Sequence, residues 1–128
     1  MSGVAEPAAE AYAAAHTTAP TPDLSRLIDD THAELASPQM LSGPVEGRLL
    51  ELLVHGLRAR LVLELGTFSG FSALSMAAGL PAGGRIVTCE VSAEHAEFAR
   101  RRIEASAAAD RIELRVGPAL ATIADLDG

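Results

Sequence analysis

The sequence predicts an α/β fold, a truncated doubly wound sheet holding its first three parallel strands with flanking helices. Three observations carry that expectation. Residues 61–72, LVLELGTFSGFS, join a short apolar run to a glycine-bearing turn and then to a helix-like segment, the opening of a parallel sheet. Two further apolar runs follow, RIVTCEV at 85–91 and RIELRV at 111–116. Each is separated from its predecessor by a segment of helical length, the alternation that builds βαβ units.

Taken in order, residues 1–4 are expected to fray. Residues 6–15 form a weak helix favoured by alanine, ended by His16-Thr17-Thr18-Ala19-Pro20. Thr21 reads as an N-cap, with Pro22 at the first position of a helix to about Ala36. Its apolar residues Leu24, Leu27, Ile28 and Leu35 are only partly periodic, so the region looks like an appendage packing on the core, a second subunit or a substrate. The boundary falls near 37, giving a helical lead-in at 1–37 and the main unit at 38–128. Residues 37–43 are a loop. Pro44 starts a helix to about Leu57 whose Leu49, Leu50, Leu53 and Leu57 predict the inward face. Ser42 has two readings, cap of that helix or hydroxyl contact to a ligand.

After the first strand, Leu74, Ala77, Ala78 and Leu80 give the crossover helix a side of small residues. Pro81-Ala82-Gly83-Gly84 turns the chain into the second strand. Ser92 caps the next helix, whose glutamates come early and arginines late, as the helix dipole favours. The third run alternates Ile112, Leu114 and Val116 with charged neighbours, which places it nearer a sheet edge. Gly117-Pro118-Ala119 leads into a last helix ending at Asp127-Gly128.

Composition narrows the function classes. The chain has 128 residues and 48% hydrophobic content, one domain's worth with enough apolar mass for a core. Its formal charge is −7, with ten arginines and no lysine, which argues against nucleic acid or an anionic membrane as the main partner. The single cysteine, Cys89, excludes an internal disulfide framework and suits a reducing cytoplasm. It reads as a small core residue. Neither a secretory signal nor an apolar run long enough to span a membrane is present. The four histidines have no ligand-spaced partners, so no metal site is expected from them.

The turn at 66–70 sits where open parallel sheets hold ligands. A dinucleotide fingerprint would place a second glycine where Phe68 stands. The spacing is instead E-x-G-x-x-x-G, with Glu64 inside the loop region. A carboxylate there suits a cation better than a pyrophosphate. S-adenosylmethionine, with a sulfonium, an ammonium and no phosphate, fits such a turn, and Phe68 is a candidate cation–π partner. Glu90 lies 24 positions beyond Gly66, where nucleotide-binding α/β units place an acid for the ribose hydroxyls. The alternatives are a nicotinamide-dependent oxidoreductase, disfavoured by Phe68, and a non-catalytic donor-binding or dimerisation fragment.

These motifs together, Met40-Leu41-Ser42-Gly43 with Glu46-Gly47, then LELGTFSGFSALSMA, GRIVTCEV and RIELRVGPAL, resemble the cation-dependent O-methyltransferases related to caffeoyl-CoA and catechol O-methyltransferases. The resemblance covers about residues 38–126, and the N-terminal helices are similar to that family's variable lead-in. It implies a Rossmann-like class I methyltransferase fold, S-adenosylmethionine as methyl donor, a divalent cation (usually Mg²⁺), and transfer to a hydroxyl of a catechol-like small molecule. Homodimers are common in the family. It also implies roles: Ser42 near the donor's methionine end, Glu64, Gly66 and Thr67 along its amino-acid portion, and Ser72 at the helix start. Glu90 would hold the ribose and Ala119 would lie against the adenine. The family's metal ligands and its assisting lysine fall after the position where this sequence stops. No catalytic or metal residue is therefore expected among these 128, and the chain is expected to be the donor-binding half of a longer enzyme.

Overall fold

The structure, a computed structural model, describes residues 5–126. Helices α1 (Pro7–Ala15), α2 (Pro22–Glu34) and α3 (Pro44–Leu57) precede β1 (Leu61–Leu65). Then follow α4 (Phe71–Ala77), β2 (Arg85–Glu90), α5 (Ala93–Glu104), β3 (Ile112–Val116) and α6 (Ala119–Leu126). All three strands are parallel in the order β1-β2-β3, with Glu64 opposite Thr88 and Thr88 opposite Leu114. β3 is an edge strand, but so is β1 among the described residues, so the expectation that β3 lies nearer the edge than the first strand is not met in this sheet. The proposed helix end at Asp127-Gly128 lies outside the described residues.

Local chemistry accounts for the element boundaries. Proline opens α1, α2 and α3, where its missing N–H costs nothing and its φ is preset. The Thr21 hydroxyl accepts from the Leu24 amide, and the Ser92 hydroxyl from the His95 amide. Ser42 does not cap α3. The N-cap is Gly43 at φ 88°, and no side chain bonds to that helix end. A backbone in that conformation suits glycine, so the capping reading of Ser42 falls.

Two apolar clusters hold the elements together. One packs Ile86 and Ile112 of the sheet against Ala73, Met76 and Ala77 of α4 and Ala99 and Ile103 of α5. The other joins Leu27 and Leu35 from the α2 region to Leu41, Phe68, Phe71 and Phe98. Of the three partners open to the lead-in, α2 therefore takes the core. A clasp reinforces this: Arg102 of α5 reaches Asp30 and Glu34, each at 3.2 Å, and lies 3.6 Å over the Phe98 ring. In contrast, α1 buries none of its residues.

The inward face of α3 departs from expectation. Leu49, Leu53 and Leu57 are exposed, Leu57 at 77%, while Gly47 and Val54 are buried and only Leu50 of the predicted set packs on the core. The cause is close approach to α4. A Cβ on Gly47 would lie 2.8 Å from the Phe71 ring and 2.9 Å from the Ser75 hydroxyl, and one on Gly79 would strike the Glu51 carbonyl. Missing side chains, rather than leucines, define the contact line. Leu61, Leu63 and Leu65 of β1, which pairs only with β2 among the described residues, are exposed as well.

This geometry predicts opposite signs for two glycine substitutions in one helix. Gly47→Ala should destabilise by about 1–3 kcal/mol through overpacking. Gly56→Ala, where a Cβ meets nothing within 4 Å, should stabilise by about 0.5–1 kcal/mol. Urea unfolding midpoints of the two variants check this, and matching signs would contradict the packing.

Candidate functional site

The carboxyl ends of β1 and β2 carry the two acids singled out by the sequence. Glu64 points from β1 toward α4 and β2: the Ser72 hydroxyl donates to one carboxylate oxygen at 2.5 Å and the Thr88 hydroxyl to the other at 2.7 Å. Since the Thr88 proton is committed to Glu64, the Thr67–Thr88 contact at 2.6 Å has Thr67 as donor. The chain thus runs Thr67 to Thr88 to Glu64, with Ser72 closing the other side. Hydroxyls from a loop, a strand and a helix fix one carboxylate.

Glu90, almost fully buried, fastens the loop to β2. Its carboxylate accepts from the Phe68 amide at 2.8 Å and the Ser92 amide at 3.0 Å. The backbone adds the Gly66 amide donating to the Cys89 carbonyl (2.9 Å) and the Gly117 amide to the Glu90 carbonyl (2.8 Å). These bonds gather the β1, β2 and β3 turns at one end of the sheet. Ala119 follows Gly117 as the first residue of α6. Ser42 follows Leu41, which packs in the same cluster as Phe68. Of the seven expected residues, hydrogen bonds therefore gather Glu64, Gly66, Thr67, Ser72 and Glu90 at this end, while Ser42 and Ala119 lie on the segments before α3 and after β3.

Phe68 does not face a ligand. It adopts φ 50°, an uncommon conformation for a non-glycine residue, and its ring is buried among Leu27, Leu35, Leu41, Phe71 and Phe98. His95 meets it edge-on at 4.9 Å. The cation–π role is thereby corrected: apolar burial claims the ring, and the positive φ turns it inward. Two residues were missed. Thr88 could have been flagged as a hydroxyl within an apolar strand. Ser69, buried with its hydroxyl unpartnered, had no signal beyond its place in the turn. Cys89 is a buried core residue, as expected.

Electrostatically the site is unbalanced. Burial pushes the Glu64 carboxyl above its ordinary value of 4.5, opposed by the Ser72 and Thr88 hydrogen bonds and reinforced by the charge of Glu90. Among the described residues neither acid forms an ion pair. Two neighbouring carboxylates without a counter-charge complement a cation. No described group of three or more His, Cys, Asp and Glu residues is arranged to hold a metal ion, so the residues present do not fit a divalent-cation centre.

A parallel α/β sheet with a glycine turn after β1 and an acid ending β2 is a Rossmann-like arrangement. The comparison with known families is more specific. The chain belongs to the O-methyltransferase family, whose model matches residues 15–128. It is 43% identical over 91 residues to the catechol O-methyltransferase of Mycobacterium tuberculosis, covering 71% of this chain and 41% of that protein. Similarity to caffeoyl-CoA O-methyltransferase 1 of Eucalyptus globulus is 35% over 81 residues, covering 63% and 33%. An O-methyltransferase from Bacillus cereus, solved in complex with SAH, superposes with TM-score 0.82 at 35% identity, over 94% of this chain and 54% of that one. TomG of Streptomyces achromogenes, solved with SAM, gives 0.84 at 33% over the same shares. The chain spans about half the length of these solved relatives. Family membership removes the nicotinamide-dependent oxidoreductase alternative.

The raised Glu64 pKa has a pH consequence. The folded state holds this proton more tightly than the unfolded chain, so the associated stability is complete below the unfolded value and is lost as pH rises through the folded one. Relative to the unmodified protein, Glu64→Gln should therefore gain stability as the medium goes from mildly acidic to mildly alkaline. Urea midpoints of both proteins across that range test it; a gap independent of pH would show an unshifted carboxyl.

Proposed function

We propose that these residues are the donor-binding part of an S-adenosylmethionine-dependent O-methyltransferase that methylates a hydroxyl of a catechol-like small molecule. The observation that carries the reading is the pair of strand-end carboxylates, Glu64 and Glu90, that form no ion pair among the described residues. Glu64 complements the ammonium of the donor's amino-acid portion, with Gly66 and Thr67 alongside. Ser72 keeps that carboxylate oriented, and Ser42 borders the methionine end. Glu90 retains lone pairs beyond those used by the Phe68 and Ser92 amides, enough to accept two ribose hydroxyls. Ala119 offers a small apolar wall to the adenine.

When bound, the donor supplies an electrophilic methyl group on a sulfonium. The residues of this chain contribute binding and orientation, which fix the methyl for in-line attack. The metal chemistry of the caffeoyl-CoA-type relatives is not assigned to any residue here. Similarity to small-molecule methyltransferases supports neither a nucleic-acid nor a membrane partner, and no described helix is long and apolar enough to cross a membrane. A cytoplasmic location fits the single reduced cysteine. The second reading, a donor-binding or dimerisation module without catalysis, draws on the exposed leucines of α3 and the unburied α1. These same surfaces support a homodimer.

Calorimetric titration of residues 1–128 with S-adenosylmethionine should give weak but saturable binding, and NADH none. Glu64→Gln and Glu90→Gln should each weaken it about tenfold, the loss of a charge-assisted contact. Unchanged affinity in both variants would sink the assignment. Methyl transfer to a catechol by these residues alone would overturn their restriction to donor binding.

A further inference from the structure

A second site lies at the other end of the sheet, independent of the donor reading. There α2, α3, α4, α5 and the approach to β3 surround a cavity of about 510 Å³, well within the size of small-molecule pockets. Its interior is apolar, with Leu24 and Leu27 of α2 facing Leu74 and Ala77 of α4 and Ala108 after α5. Its rim is basic. Arg26, Arg48, Arg101, Arg102 and Arg111 line it, against Asp23, Asp30 and Glu51. Half of the ten arginines of a chain with formal charge −7 thus converge on one cavity, against the sign of the molecule as a whole.

The internal ion pairs leave a surplus. Arg48 is held by Glu51 at 2.7 Å and by the Thr18 and Ala19 carbonyls, and Arg102 by Asp30 and Glu34. Arg101 has only a long contact to Glu97, at 3.9 Å. Arg26 and Arg111 form no ion pair among the described residues. Asp23, in the first turn of α2, sits where the helix dipole already favours an acid. Two guanidinium groups, Arg26 and Arg111, thus remain without an ion pair among the described residues, and Arg101 beside them is held only by the long contact to Glu97.

We propose that this cavity binds an organic carboxylate with an apolar body. The acyl or aryl part lies against Leu24, Leu27 and Leu74, and the carboxylate bridges Arg26, Arg101 and Arg111. Guanidinium forks match carboxylate geometry. Because the walls come from α2 on one side and α4 and α5 on the other, such a ligand ties α2 to the core and stabilises the folded protein by mass action.

The probe is decanoate below its micellar concentration, with decanol and decylammonium as neutral and cationic matches. Titrations followed by amide NMR should show decanoate shifting residues 23–30 and 101–111 and binding at least about tenfold tighter than decanol. Decylammonium should not bind there. Arg26 is exposed and Arg111 only half-buried, so neither replacement removes a core contact. Arg26→Gln with Arg111→Gln should weaken decanoate binding about tenfold while leaving S-adenosylmethionine titrations unchanged. Decanol binding as tightly as decanoate, equal decanoate affinity in the double variant, or shifts confined to Leu61, Leu63 and Leu65 would each overturn the proposal. A second double variant, Arg26→Lys with Arg111→Lys, keeps the charge and loses the fork, so its decanoate affinity should fall between those of the unmodified protein and the glutamine variant; affinity equal to the unmodified protein would overturn recognition by the guanidinium forks.

Discussion

The constraint on which the rest of the structure depends is the placement of two carboxylates at the ends of adjacent parallel strands without a neighbouring cation. A half-buried carboxylate is costly unless hydrogen bonds or a counter-charge compensate it. Here Glu64 obtains hydroxyls from α4 and β2, and Glu90 obtains two backbone amides. Those bonds also set the turn between β1 and α4, since Phe68 donates its amide to Glu90 and Thr67 reaches Glu64 through Thr88. The residues that shape the loop are therefore the same ones that make its charge complementary to a phosphate-free cation.

The loop is tied from its other side by packing. Phe68 turns its ring away from the site and into the cluster containing Leu27 and Leu35. A positive φ at a non-glycine residue costs roughly 1 kcal/mol or more, and burial of an aromatic ring outweighs that. Helix α2 is thus a support of the ligand turn, linked to it through the Phe68 side chain. The same helix walls the basic cavity at the far end, which makes α2 the element shared by both sites. The chain belongs to the O-methyltransferase family and spans about half the length of the solved relatives.

Much of this was legible in the residues. Apolar runs at 61–65, 85–90 and 112–116 and the prolines at helix starts mark elements through local rules that tertiary contacts do not reverse. The acid positions were legible because strand ends in a parallel sheet fall at one edge. Less legible were partners. Leucine content suggested an inward face on α3, yet Gly47 and Gly79 decide the contact because absent side chains permit close helix approach. Ser42 read equally as a cap or as a ligand contact, and only the helix end at Gly43 removes the first.

By itself the sequence determined the α/β order of elements, the two acids and the glycine turn, since periodicity and turn chemistry act over a few residues. The tertiary structure alone decided that Thr88 bridges Thr67 to Glu64, that Phe68 faces the core, and that five arginines from separate segments share a cavity. Each of those depends on register and packing between residues distant in the chain. Such neighbours are selected by the whole core's shape, which no local pattern encodes.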